Sequence, residues 1–273
     1  VLRWQDPVAL TEGYIADLAE CSYGYIHYEV VDWQNVDYLP AKQDGFRYSP
    51  SSYLNCWTRR SGWHEPDAVD YYAILRDFDI PWRVDSGEID EVWLFAFTYG
   101  GYYESIMAGP ESFWCNSPPL VRTNPSGRRF VIMGFNFERG VGEMMESFGH
   151  RTESILRQVF AEQPAESNLW ERFIRHDKTH PGGAEVGTIH FAPNSEYDYD
   201  WGNLREVPSR CEAWYSFPQL DGLPQTVNCR EWGDGDIRTH HRWWFRHLPH
   251  YPGEADGISY NWWEYILDPN RVV

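Results

Sequence analysis

Seven apolar side chains, Val141, Met144, Met145, Phe148, Ile155, Leu156 and Val159, recur on one stripe at helical period. The pattern predicts a helix over 141–160. It follows a near-continuous apolar run, 129–137, across Glu138, Arg139 and Gly140. Strand, tight turn and helix in that order is half of a βαβ unit. A second apolar run at 91–97 suits another strand buried on both faces. Residues 187–191 read as a further strand, and the alternation over 22–31 as one more. Helical spacing recurs at 67–78, with Asp67 placed to cap it. A helix between apolar strands makes an α/β fold the expected architecture, with a central, mostly parallel sheet and flanking helices. From Pro193 onward periodicity fades and Pro, Gly, Asp and Trp dominate. The expectation is a single domain: an α/β core over 1–192 and a long loop-rich, Trp-rich cover over 193–273.

The formal net charge of −18 repels phosphate, which argues against nucleic acid and anionic membranes as partners. No apolar run is long enough to span a bilayer. Against that polar background, with mean hydropathy −0.60, stand fifteen tryptophans, eighteen tyrosines and fourteen phenylalanines. Trp243-Trp244-Phe245 and Trp262-Trp263 are flanked by polar groups, and amphipathic rings stack well on sugar-like ligands. A polysaccharide or glycan is therefore the expected partner. Of the five cysteines none forms a C-x-x-C pair, so a structural zinc cluster is not indicated. The spacing of Cys211 and Cys229 suits a loop-closing disulfide, and Cys56 with Cys115 a second. Those bridges and an opening Val1 in place of Met point to a processed, secreted protein.

Three constellations carry possible chemistry. Acids stand just past two expected strands: Glu104, beside Tyr102 and Tyr103, and Glu138, beside Arg139. Sites of open α/β sheets form at strand carboxyl ends. A raised and a lowered carboxylate there meet the requirement for glycoside hydrolysis. Glu104 is the expected acid and Glu138 the nucleophile or base. Arg139 would hold Glu138 ionised, His190 would line the site, and Trp243, Trp244 and Trp262 would carry substrate. A second set is metal-binding. Glu146, His150 and Glu153 share one helix face, with His190, His240 and His241 available from elsewhere, a reasonable set for zinc. That face lies opposite the apolar stripe, so it is either solvated or covered by the last third. The third set, Asn194, Asp198, Asp200 and Asn203, offers oxygen ligands that suit calcium or an Asx-rich turn. A serine-hydrolase elbow is absent. The resulting expectation is a secreted hydrolase acting on a glycan through strand-end carboxylates. The alternatives are a zinc-dependent peptidase or amidase and a non-catalytic extracellular carbohydrate-binding or structural protein.

Overall fold

The structure, a computed structural model, describes residues 4–272. Its elements in chain order begin with α1 (Pro7–Cys21), α2 (Pro50–Arg59), α3 (Tyr71–Asp77) and α4 (Ile80–Asp85). Three strands follow, β1 (Glu91–Ala96), β2 (Ser105–Ala108) and β3 (Phe130–Asn136), then α5 (Val141–Val159) and α6 (Leu169–Phe173). The last part holds β4 (Val207–Ser209), β5 (Gln225–Val227), α7 (Ile237–Arg246), β6 (His250–Ala255), β7 (Ile258–Asn261) and α8 (Trp263–Leu267). The chain forms two compact units. One is built from residues 29–140 and the few before Val8, the other from residues 8–28 and those from Val141 on. The division therefore falls at Gly140, not at the expected 192.

The first unit contains the sheet, in the order β1-β3-β2. β1 and β3, the two apolar runs, pair in parallel from Glu91 opposite Val131 to Ala96 opposite Asn136. β2 runs antiparallel to β3. The sheet is thus small and mixed, not the mostly parallel sheet the pattern predicts. β1 is a half-buried edge, and only β3 is an interior strand. The irregular stretch after β1 supplies β2 by doubling back over β3. Gly134 permits that return: a Cβ there would lie 2.2 Å from the Tyr103 carbonyl oxygen. Ile106, Ala108, Phe130 and Ile132 on one face pack with Tyr71, Leu75, Ile80 and Val84 of α3 and α4. Helix α3 is capped by Asp70, whose carboxylate accepts from Ala73 N at 3.0 Å. The expected cap, Asp67, instead meets the buried Lys42 Nζ at 2.6 Å.

The second unit is mainly helical. Helix α5 starts at the expected residue and packs against α7 and α8, in the second unit, whereas the expected partner strands belong to the first. Phe148 has no exposed surface. Its ring lies 5.6 Å from Phe245, 6.1 Å from Tyr14 and 6.5 Å from Trp263. Residues 193–273 are not a loop cover: they carry α7, α8 and two antiparallel strand pairs, β4–β5 and β6–β7. Asp236 caps α7 by accepting from Thr239 N at 2.8 Å. Trp262 is a hub of the core, with Phe160, Trp170, Phe173, Trp214 and Phe217 all within 6.3 Å of it. Rings packed edge to face like these each contribute about 0.5–1.5 kcal/mol beyond their burial.

Two expected strands are absent. Residues 22–31 leave α1 through Tyr23 and Gly24 at positive φ, which turns the chain out of extended geometry. At 187–191 the chain bends around Gly187, at φ 93°, where a Cβ would meet the Phe191 carbonyl oxygen at 2.0 Å. All five cysteines are free thiols, so the expected bridges 211–229 and 56–115 do not form. The spacing argument for an oxidising compartment falls with them. Among the described residues, no helix is long and apolar enough to cross a membrane.

Candidate metal centre

The polar face of α5 is covered. Glu146 is buried, and His150 and Glu153 are each 16% exposed at the side chain. The covering segment is 188–201, and three features let it approach. Gly149, mid-helix, has no side chain where a Cβ would lie 2.4 Å from Ile189 Cγ1. The Ile189 N–H donates to Glu153 Oε1 at 3.0 Å. Three buried indoles then pin the segment and its approach. Trp244 Nε1 donates to the Gly187 carbonyl at 2.9 Å, Trp232 Nε1 to the Trp201 carbonyl at 2.7 Å, and Trp214 Nε1 to Glu185 Oε2 at 3.0 Å.

This packing brings His190 onto the helix face. A carboxylate oxygen of Glu146 and a ring nitrogen from each of His150 and His190 lie within 4.8 Å of one another. Both imidazoles present Nε2 to the same atom, Glu146 Oε1, at 3.0 Å for His190 and 3.9 Å for His150. Both present Nδ1 to a separate carboxylate: His190 to Asp198 at 3.1 Å, His150 to Glu153 at 3.3 Å. A carboxylate on the far nitrogen fixes the tautomer and ring orientation of a metal-ligating histidine and raises its basicity. Here the pattern occurs twice around one centre. The Tyr199 hydroxyl donates to Glu146 Oε1 at 3.2 Å. Tyr199 holds the left-handed backbone conformation, φ 61°, which is strained for a bulky side chain.

The electrostatics match the geometry. Burial would raise the Glu146 carboxyl. The His190 hydrogen bond, the charges of His241 and His190 and the Tyr199 hydrogen bond outweigh it and hold the carboxyl below its usual range. Burial would lower His190, but the Glu146 hydrogen bond and the charges of Glu146 and Asp198 leave it raised, against an opposing effect of His150. The two shifts favour the same pairing, a Glu146 carboxylate against a His190 imidazolium.

The other expected site residues fall elsewhere. His240 and His241 are fully buried and lie against Trp201, at 5.0 and 5.1 Å between ring centroids. They are core residues of α7, outside the three-ligand group, because α7 turns that face inward. His241 Nδ1 lies 3.0 Å from the Gly142 carbonyl oxygen. Trp244 and Trp262 have no exposed surface and cannot form a substrate platform. Trp243 is half-buried between Trp232 and His247. The exposed tryptophans are Trp4, Trp33, Trp82 and Trp114, all in the first unit.

Glu104, Glu138 and Arg139 also belong to the first unit, whereas His190 belongs to the second. Glu104 accepts from Asn116 Nδ2 at 2.7 Å, and Glu138 accepts from the Thr98 hydroxyl. Arg139 is exposed and its guanidinium forms no ion pair with Glu138 among the described residues, so it does not orient that carboxylate. Tyr103 is exposed and Tyr102 half-buried. The expected calcium set spends its oxygens locally. Asp200 Oδ2 accepts from Glu196 N and Asn203 Nδ2, Asn203 Oδ1 accepts from Arg205 N, and Asp198 turns to His190. Asn194 is buried and donates to the Asn203 and Arg205 carbonyls. Tyr199 is the contributor that periodicity and motif spacing leave unmarked.

Compared with protein-family models, characterised proteins and solved structures, the chain matches none.

Proposed function

We propose that the chain is a metal-dependent hydrolase of the peptidase or amidase type, with zinc held by Glu146, His150 and His190. One observation carries this reading: two histidines converge through Nε2 on one carboxylate oxygen while each rests its Nδ1 on another carboxylate. Two histidines and a glutamate leave one tetrahedral position for water, and zinc lowers the pKa of such a water to about 7. The roles of the chain's own residues follow. Glu153 and Asp198 orient the imidazoles. Tyr199 supplies a hydroxyl at the edge of the centre, where it can donate to an oxygen that gains charge. The partly exposed Asp198 and Tyr199 mark the side from which a substrate enters.

The strand-end carboxylates have a simpler account, since Glu104 is bonded to the Asn116 side chain and Glu138 to the Thr98 hydroxyl. The test is metal uptake and turnover together. Chelator-treated protein should regain hydrolysis of a chromogenic ester and amide panel on adding zinc. His190→Ala should lose one equivalent of zinc and at least 100-fold in rate. Equal zinc binding by the two proteins rules the centre out. Zinc bound at this centre without turnover on the panel removes the hydrolase assignment.

A further inference from the structure

We propose a second metal site, formed by Cys211, Glu212 and His247, that takes zinc or another thiophilic divalent ion. It lies where the 3-10 turn Cys211–Ser216 meets the C-terminal end of α7. Cys211 Sγ, a carboxylate oxygen of Glu212 and a ring nitrogen of His247 lie within 4.8 Å of one another.

His247 supplies an independent observation. It is 1% exposed, and its Nδ1 lies 2.7 Å from the Trp243 carbonyl oxygen, so Nδ1 carries the proton. The lone pair is then on Nε2, which is buried and has no hydrogen-bond partner. Leaving such a nitrogen unsatisfied costs about 1–3 kcal/mol. A backbone carbonyl on Nδ1 is also a common orienting contact for a metal-ligating histidine.

The acidic side supports the same reading. Glu212 and Glu231 border one cavity of about 240 Å³ with Cys211 and Trp243. Glu231 or water can complete four-coordination. Thiolate, imidazole and carboxylate are together a zinc donor set. The buried soft ligands and exposed acids describe a site closed on its sulfur side and open on its oxygen side. It shares no residue with the Glu146 centre, so either site can fail without the other.

Cobalt(II) titration of the chelator-treated full chain tests the proposal, because only this site contributes a thiolate. Saturation should give a near-ultraviolet thiolate-to-cobalt charge-transfer band. Cys211→Ser and His247→Gln should each abolish the band and remove one equivalent of cobalt. Glu212→Gln, an exposed change that leaves folding undisturbed, should keep the band but weaken cobalt binding at least tenfold. His190→Ala should leave the band intact whether or not the Glu146 centre binds metal. Near-ultraviolet circular dichroism from the buried tryptophans verifies that each variant folds. A wild-type protein without the band at saturating cobalt, or a folded Cys211→Ser protein that retains it, overturns the proposal.

Discussion

His190 stands between two carboxylates, Glu146 on Nε2 and Asp198 on Nδ1. Its pKa is raised, so without metal the imidazolium form contributes stability that is fully present below the ordinary histidine value near 6.5. That contribution is lost as pH rises through the folded value, which lies higher. Metal needs the neutral ring, so uptake runs the opposite way. Zinc affinity, followed by competition with a chromogenic chelator, should rise about tenfold per pH unit up to that higher value and then flatten. One displaced proton sets that slope. In His190→Gln the slope should vanish, and an unchanged slope would remove His190 from the ligand set. At this scale the sequence was partly legible. Glu146 and His150 share a face by spacing alone. His190 required a fold to reach them, and Tyr199 gave no periodic signal because its role comes from a strained turn.

Helix α5 is where local pattern and final structure agree most closely, since seven apolar residues at one period leave little choice of conformation. The reading failed where glycine decided the path. Residues 187–191 are apolar enough for a strand, yet Gly187 bends them into a turn that delivers His190. Helix α1, which is not among the elements expected from the sequence, buries Leu10, Tyr14, Leu18 and Cys21 at spacings of three and four residues. Gly149 gives a sharp test of the same idea. On an isolated helix, Gly→Ala stabilises by about 1 kcal/mol. Here the added methyl meets Ile189 at 2.4 Å, so Gly149→Ala should instead lower thermal stability and weaken zinc binding at least tenfold. A stabilised variant with full zinc affinity would show that the covering segment does not depend on this contact.

At the scale of the whole molecule, composition announced an aromatic-rich protein but not where its rings would go. Trp170, Trp214, Trp232, Trp244, Trp262 and Trp263 are all core residues of the second unit. Several of their N–H groups hold the chain around the Glu146, His150 and His190 cluster. The division into units was illegible for a simpler reason: the second unit is discontinuous, with residues 8–28 separated from the rest by all of 29–140. That connectivity sets an order of events on the ribosome. When α1 emerges, the partners that bury Tyr14, Leu18 and Cys21 have not yet been made. At about 5–20 residues per second, roughly 6–24 s pass before α5 follows. During synthesis α1 is therefore an apolar helix waiting for its core, while residues 29–140 are already complete. In a chain ending at Gly140, protease should cut within 7–21 as readily as in an unfolded peptide, and protection there would mean that α1 finds another shelter first. In a nascent chain of this connectivity the apolar side of residues 7–21 stays without its native core until the helices that bury it have been made.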